Sequence, residues 1–240
     1  MVLGLPDTIQ ACLFDLDGVL TDTASVHRAA WAAVFNPVLA AHGQKPFSDD
    51  DYNEYVDGKP RLDGVRDYLA SRGLHPPEGS DDDPEDAETV RAIAARKNAE
   101  VLRRIREEGV RVYPGSRRYL EAAMDAGLRR VVVSSSANTE EVLRVTGLDE
   151  FIEHRVDGVT IEKQGLAGKP APDSFLAGAR LAGTEPAHAA VFEDATAGVE
   201  AGHRGGFGYV VGVNRIDQAH ARALAEHGAH VVVDDLADLL

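Results

Sequence analysis

The 240-residue chain is poor in residue types that mark several protein classes. Its one cysteine, Cys12, has no partner for an internal disulfide bond. Basic residues are scarce as well, since 25 lysines and arginines stand against 40 aspartates and glutamates, which gives a formal net charge of −15. A surface of that sign does not neutralise nucleic-acid phosphates or anionic lipids. We therefore exclude nucleic acids and membranes as main partners.

The chain also has no apolar run of about 18 residues that would span a membrane, and no segment with the basic, apolar and small-residue order of a signal peptide. These absences predict a cytoplasmic protein. Hydrophobic residues make up 44% of the chain and charged residues 27%. Both values are close to globular averages, so disordered and collagen-like classes are excluded and a sizeable core is expected.

Short apolar runs recur at wide spacing and alternate with amphipathic segments of helical length, such as 115–126 and 217–227. Such runs are typical of strands buried on both faces, and their alternation with helices predicts a parallel sheet covered on both sides. The predicted fold class is therefore α/β, a doubly wound parallel sheet with a Rossmann-like core. The predicted strands lie at 11–14, 131–133, 189–192, 209–211 and 231–233.

Segment 23–109 differs from the rest because it contains helical patterns and loop signals but no comparable strand run. It is predicted to be an inserted α-helical cap, and the α/β core is assigned to 1–22 and 110–240. The acidic stretch 75–88 is interpreted as a solvated loop in preference to an acidic binding tail. Helical patterns of the cap begin at about 24, 62 and 88.

Two aspartates, Asp15 and Asp17, directly follow the first predicted strand. Residues two apart in an extended chain point to the same side, and the carboxyl ends of parallel strands border the crevice where open α/β sheets bind ligands. One carboxylate can attack as a nucleophile while the other moves a proton, and together they can help to bind Mg²⁺. The structural alternative is a pair of turn or N-cap aspartates.

A run of hydroxyl side chains follows the second clear strand. Ser134, Ser135 and Ser136 lead to Asn138 at the start of a predicted helix. Hydroxyls and backbone N–H groups at a helix start suit a phosphoryl group. Serine-rich strand ends also serve as helix caps, so this signal is weak when taken alone.

Two later segments carry a cation and a second pair of acids. Lys169 lies between a glycine and a proline ahead of a predicted helix, where it can offset the charge of a phosphoryl group and of nearby carboxylates. Glu193 and Asp194 end the next predicted strand, which suits a second metal-binding arm. The alternative for Lys169 is an ordinary surface lysine.

These four elements, in this order and each at a predicted strand end, resemble the motifs of the haloacid dehalogenase superfamily of phosphotransferases and phosphatases. In that superfamily the first aspartate is the nucleophile and forms an aspartyl-phosphate, which implies this role for Asp15. The resemblance implies that Asp17 is the general acid/base. It also implies that Ser134 and Lys169 bind the transferring phosphoryl group.

The same resemblance implies an Mg²⁺ cofactor. The ion would be held by the carboxylates of Asp15 and Asp194 and by the backbone carbonyl of Asp17. Glu193 would lie nearby or act through water. The metal set implied by the resemblance is therefore Asp15, Asp17, Glu193 and Asp194.

The cap residues are similar to those of the β-phosphoglucomutase subgroup of this superfamily. In that subgroup the histidine at the His27 position orients the general acid/base, and the arginine at Arg61 binds the non-transferring phosphate. The lysine at Lys97 contributes to the closed active site. The resemblance is carried by Asp22-Thr23-Ala24, His27, Trp31, Gly58, Arg61, Arg96-Lys97-Asn98 and Tyr113-Pro114-Gly115.

On the core side, Ser136 and Asn138 match a second phosphate site, with Ser135 beside them. The chain has Ala137 where the subgroup commonly has a lysine, so one positive charge is missing there. Lys59 lies where the subgroup often has an apolar residue. We interpret Lys59 as a substrate-binding residue that restores this charge from the cap.

The resemblance implies conversion of β-D-glucose 1-phosphate to glucose 6-phosphate, with glucose 1,6-bisphosphate as the intermediate. The partner would then be a small sugar phosphate. An acyl phosphate on Asp15 can also pass to water, so the main alternative is an Mg²⁺-dependent sugar-phosphate phosphatase on the same scaffold. A catalytically inactive module that binds sugar phosphates or proteins is the remaining alternative.

Overall fold

The structure is a computed structural model that describes residues 3–56, 59 and 61–240. It divides into two compact units, Met1–Thr23 with Val110–Leu240 and Ala24–Gly109. We keep the names core and cap for these units, with the first boundary now after Thr23. Within the part of the chain that is described, no helix is both long and apolar enough to cross a membrane.

The cap is helical throughout its regular structure. A π-helical turn at Tyr52–Val56 follows directly on its second helix, and the acidic stretch 75–88 forms a loop ahead of the fourth. The cap helices are α1 (Thr23–Ala41), α2 (Asp49–Asp51), α3 (Arg61–Ser71) and α4 (Val90–Glu107).

Aromatic rings form the centre of the cap. The Trp31 and Phe35 rings of α1 are stacked with centroids 4.9 Å apart, and the Phe35 centroid lies 4.4 Å from that of Tyr68 on α3. Phe47 packs on the edge of Tyr68 with centroids 5.0 Å apart. All four rings are buried, and burial of each large side chain stabilises the folded cap by about 1.5–3 kcal/mol.

The core contains a parallel sheet with the strand order β3-β2-β1-β4-β5-β6 among the described residues. This arrangement confirms the predicted α/β fold. The edge strand β3 was not predicted, because it has three residues and only its last is fully buried. The strands are β1 (Ala11–Phe14), β2 (Arg129–Val133), β3 (His154–Val156), β4 (Ala189–Glu193), β5 (Tyr209–Val213) and β6 (Val231–Val233).

Helices cover the two faces of this sheet, and alternate strand residues point to opposite faces. On one face, the stacked rings of Phe14 and Phe192 pack against Tyr119. On the other face Gly178 lies so close to the strands that an added Cβ would be 2.8 Å from Val133 and 3.0 Å from Leu13. The core helices are α5 (Pro114–Asp125), α6 (Thr139–Thr146), α7 (Gly158–Gln164), α8 (Asp173–Ala182), α9 (Thr196–Arg204) and α10 (Gln218–Glu226).

We expect Phe35→Ala to destabilise the cap by about 3–5 kcal/mol, because it leaves a cavity among the buried rings. Phe35→Leu keeps most of the apolar volume and should cost less. Urea unfolding followed by the fluorescence of Trp31, which stacks on Phe35, measures both. Met124→Ala is the control. Met124 belongs to the core unit but its side chain is 41% exposed, so truncating it should change the free energy of unfolding by less than about 0.5 kcal/mol. A loss below about 1 kcal/mol for Phe35→Ala would contradict this account of the cap.

Candidate active site

Three adjacent strands bring their carboxyl ends to one point in the core. Asp15 follows β1, and its backbone N–H donates to the Phe192 carbonyl of β4 at 2.9 Å. The Lys169 ammonium lies 2.6 Å from Asp15 Oδ1 and 2.6 Å from Glu193 Oε1. It also donates to the Val133 carbonyl at the end of β2, at 3.3 Å. The structure therefore joins the predicted nucleophile and the predicted phosphoryl-binding lysine in one buried ion cluster.

Glu193 fixes the position of Lys169. Its second oxygen, Oε2, accepts from the Ala195 backbone N–H at 2.8 Å. Gly198, in the first turn of α9, makes room for this carboxylate, because a Cβ there would lie 1.8 Å from Glu193 Oε1. Since both oxygens of Glu193 already accept hydrogen bonds, the geometry favours orientation of Lys169. The place of Glu193 in the metal set, nearby or through water, stays a prediction.

Burial and neighbouring charges shift the ionisation of this cluster. Burial raises the pKa of Asp15 to about 8; the charge of Lys169 opposes this shift, whereas those of Glu193 and Asp17 add to it. Burial disfavours the charged form of Lys169 as well, but Asp15 and Glu193 outweigh it and raise the pKa of this ammonium above its ordinary value. Lys169 is therefore protonated, and a further cation beside Asp15 would favour the ionised carboxylate.

A tight turn follows Asp15 and carries Asp17. The side chain of Asp17 accepts a hydrogen bond from the Thr23 hydroxyl. Gly18 has a φ of +80° and donates its N–H to the Thr21 carbonyl at 2.8 Å. A Cβ at Gly18 would lie 1.8 Å from Asp194 Oδ2, so the Asp194 carboxylate packs directly on this turn.

The oxygen donors around this turn fit Mg²⁺. In the described part of the chain, no group of three or more His, Cys, Asp or Glu side chains is arranged to hold a metal ion. Mg²⁺ is commonly bound by one or two carboxylates, with waters and substrate phosphate oxygens completing its octahedron. The carboxylates of Asp15 and Asp194 and the backbone carbonyl of Asp17 supply donors of this kind, and Gly18 permits the close approach of Asp194.

The serine loop at the end of β2 is held by its own hydrogen bonds. The buried Ser134 donates its backbone N–H to the Val156 carbonyl at 2.9 Å. Its hydroxyl accepts from the Ser136 N–H at 3.1 Å, and the Ser136 hydroxyl accepts from the Asn138 N–H at 3.2 Å. Ser135 and Ala137 are exposed.

This loop packs on the start of α7. A Cβ at Gly158 would lie 2.7 Å from the Ser135 carbonyl oxygen and 2.8 Å from the Ala137 nitrogen. Only glycine therefore allows the loop to lie this close to α7. The predicted phosphate-binding residues Ser134, Ser135, Ser136 and Asn138 thus share one loop that begins beside Val133, whose carbonyl contacts Lys169.

The cap contains a second cluster of predicted site residues. The Lys97 ammonium lies 2.8 Å from His27 Nδ1 and 4.7 Å from the centre of the Trp31 ring, and Lys97 is only 5% exposed. Burial lowers the pKa of His27 well below its usual value, and the charges of Lys97 and Arg61 lower it further. A neutral imidazole that accepts at Nδ1 carries its proton on Nε2.

The other predicted site residues of the cap lie outside this buried cluster or outside the described residues. Arg61 is exposed at the first position of α3. The Lys59 ammonium forms an ion pair with Asp67 at 2.6 Å. A substrate phosphate would therefore compete with Asp67 for the lysine that we assigned to substrate binding. Gly58 lies outside the described residues.

Sequence reasoning missed the roles of three residues that hold the core site, although Thr23 was among those that carry the resemblance. Thr23 supports Asp17 and Gly198 makes room for Glu193. Gly198 could have been found, because a glycine inside a predicted helix often has a packing reason. Arg215 donates to the Gly18 carbonyl, but in the sequence it is an ordinary loop residue after a strand.

Comparison with known proteins identifies the class. The haloacid dehalogenase-like hydrolase family matches residues 9–206, so the chain belongs to this family. A relative named β-phosphoglucomutase, from Mycobacterium bovis, is 56% identical over 247 residues, which cover all of this chain and 94% of the relative. The predicted resemblance to this superfamily and to its β-phosphoglucomutase subgroup is thereby confirmed.

Two further similarities give the range of related proteins. The crystal structure of β-phosphoglucomutase from Clostridium difficile matches with a TM-score of 0.75 and 26% identity, covering 97% of this chain and 93% of that one. Hexitol phosphatase A from Escherichia coli is 29% identical over 84% of this chain and 82% of its own length. The family thus includes both a mutase and a phosphatase among the relatives of this enzyme.

We expect Gly18→Ala to reduce the Mg²⁺-dependent turnover of an aryl phosphate about 100-fold or more, because the new methyl group occupies the position of the Asp194 carboxylate. Gly165→Ala is the matched control. Gly165 also lies in the core with a φ of +61°, but nothing lies within 4 Å of the position of its Cβ. Both variants should lose about 1–2 kcal/mol of stability from the left-handed backbone. Equal turnover in the two variants would refute the role of Gly18.

The stability of the cap should fall as the pH drops below about 6.5. His27 has a lower pKa in the folded state than in the unfolded state, so the unfolded state binds more protons at acidic pH. The loss approaches about 1.4 kcal/mol per pH unit until His27 itself is protonated. Urea unfolding at pH 7.5, 6.5 and 5.5, followed by Trp31 fluorescence, measures it. His27→Gln should flatten the profile, whereas the control His75→Gln, at an exposed cap residue, should retain it.

Proposed function

We propose that this enzyme is a β-phosphoglucomutase, which interconverts β-D-glucose 1-phosphate and glucose 6-phosphate through an aspartyl-phosphate and glucose 1,6-bisphosphate. The observation that carries the proposal is the contact between Asp15 and Lys169 at 2.6 Å, at the end of β1. It places a carboxylate nucleophile beside the cation that a phosphoryl group needs. The 56% sequence identity to a relative named β-phosphoglucomutase, over the full length of this chain, supports the choice of substrate.

Asp15 performs the transfer in this proposal. Its carboxylate oxygen forms a bond to phosphorus while the bond between phosphorus and the sugar oxygen breaks, which gives the aspartyl-phosphate. Lys169 neutralises charge on the phosphoryl oxygens, and Glu193 holds that ammonium in place. An Mg²⁺ ion held by Asp15, Asp194 and the Asp17 carbonyl would supply further positive charge to the same oxygens when bound.

Asp17 moves the proton. It takes the proton of the attacking sugar hydroxyl when phospho-Asp15 donates its phosphoryl group, and it returns a proton to the leaving sugar oxygen in the other half-reaction. The hydrogen bond that Asp17 accepts from Thr23 fixes one oxygen of its carboxylate. This bond from Thr23 orients the carboxylate for proton transfer.

The substrate-binding residues complete the proposal. Ser134 binds the transferring phosphoryl group, with Ser135, Ser136 and Asn138 on the core side of the second phosphate site. In the cap, Arg61 and Lys97 supply positive charge. The neutral His27 ring accepts a hydrogen bond from the Lys97 ammonium. Gly58 and Lys59 remain predictions as substrate-binding residues.

A sugar-phosphate phosphatase is the second candidate function. One observation favours it: position 137 is an exposed alanine in the serine loop, where a lysine would add a charge for the second phosphate. Without that charge, a bisphosphate is held less firmly and water can accept the phosphoryl group from Asp15. The similarity to hexitol phosphatase A is consistent with this alternative.

A phosphorus NMR time course with β-glucose 1-phosphate, Mg²⁺ and a trace of glucose 1,6-bisphosphate separates the two functions. We expect glucose 6-phosphate to accumulate from the β-anomer and not from the α-anomer. Asp15→Asn should lower the rate at least about 10⁴-fold because it removes the nucleophile. Asp125→Asn, at an exposed residue at the end of α5, is the control and should keep full activity. Accumulation of inorganic phosphate would instead establish the phosphatase.

A further inference from the structure

Arg215, in the loop after β5, is bonded to the turn that follows the nucleophile. Its guanidinium donates from Nε to the Gly18 carbonyl at 2.7 Å and from Nη2 to the Val19 carbonyl at 3.3 Å. The remaining terminal nitrogen, Nη1, donates to the Asp234 carbonyl beyond β6 at 2.9 Å. One side chain thus ties the β1 turn to the loops that follow two other strands.

The guanidinium also lies on an aromatic ring. Its Cζ atom is 3.7 Å from the centre of the Tyr113 ring, and the Tyr113 backbone N–H donates to the Leu20 carbonyl at 3.1 Å. Planar stacking and a planar set of donors are both properties of arginine, and lysine offers neither. Tyr113 therefore fixes the plane in which Arg215 presents its donors to the turn.

Gly18 is consequently held from two sides. The Asp194 carboxylate packs against its Cα, and Arg215 holds its carbonyl oxygen. The carbonyl of Val19 is also held twice, because the buried Ser116 hydroxyl donates to it at 2.6 Å. These bonds fix the peptide groups that carry the Gly18 and Val19 carbonyls. The peptide group between Asp17 and Gly18, which carries the Asp17 carbonyl, can then rotate little.

We propose that Arg215 is a positioning residue for the metal site, and that it holds the Gly18–Val19 backbone so that the Asp17 carbonyl and the Asp194 carboxylate are presented together. The proposal rests on the proposed function insofar as that function places Mg²⁺ at these donors. Arg215 acts through the turn and does not contact the reacting atoms. Residues that orient the ligands of a metal commonly change its affinity 10- to 100-fold when they are replaced.

The test is the affinity for Mg²⁺ alone, measured by isothermal titration calorimetry without sugar phosphate. Arg215→Met keeps most of the side-chain length but removes every donor, and we expect the Kd for Mg²⁺ to rise about tenfold or more. Amide hydrogen exchange should become faster at Gly18 and Thr21 and stay unchanged in the sheet, for example at Val132. Arg215→Lys should also weaken binding, because it lacks the planar set of donors.

Arg111→Met is the matched control. Arg111 is exposed and lies over the same Tyr113 ring at 5.4 Å, so its replacement removes an equal charge near the same ring while Arg215 keeps its bonds to Gly18 and Val19. Its Kd for Mg²⁺ should stay within about twofold of the wild-type value. An equal loss of affinity in Arg111→Met would show a charge effect and overturn the proposal.

The proposal is also overturned if a folded Arg215 variant binds Mg²⁺ as tightly as the wild type. If Arg215→Met does not fold, Arg215→Lys decides by the same criterion. Failure of the proposed function has a different signature, because it appears in the products that the wild-type enzyme makes from β-glucose 1-phosphate. Mg²⁺ affinity can therefore refute the role of Arg215 whether the enzyme is a mutase or a phosphatase.

Discussion

The site in the core depends on one buried charge cluster, in which the Lys169 ammonium is shared by Asp15 and Glu193. Removing three charged groups from water costs several kcal/mol per ion, and the cluster persists because each charge has a close partner. Because burial raises the pKa of Asp15 to about 8, this carboxyl group is largely protonated at neutral pH, and the charges of Lys169 and Glu193 then balance each other. A cation bound beside Asp15 would favour its ionised form and would also reduce the repulsion between this carboxylate and a phosphate.

The remainder of the core site holds these charges in place and orients them. The parallel sheet directs three strand ends to one edge, and backbone groups take up carboxylate oxygens that would otherwise compete for the lysine. The cap uses a different arrangement, since its buried Lys97 contacts an imidazole and the face of an indole.

The sequence predicted much of this arrangement, and its failures have physical causes. Asp15 was predicted from its place at a strand end, and Lys169 from its place ahead of a helix, where it can offset nearby carboxylates; the structure brings these two residues, 154 apart in the chain, into contact. The edge strand β3 was missed because its exposed residues break the apolar pattern. The orienting role of Glu193 and the bonds of Arg215 depend on which oxygens lie within reach after folding. No periodicity or local spacing encodes that information.

The contact between Gly18 and Asp194 links two positions that are 176 residues apart in the chain. A Cβ at position 18 would lie 1.8 Å from Asp194 Oδ2, so the side chain that one position can carry depends on the side chain at the other. A larger side chain at position 18 is acceptable only after position 194 has become shorter, and that first step removes a carboxylate. If Asp194 binds Mg²⁺ as proposed, either change alone would impair the site, so the two positions would have to change together.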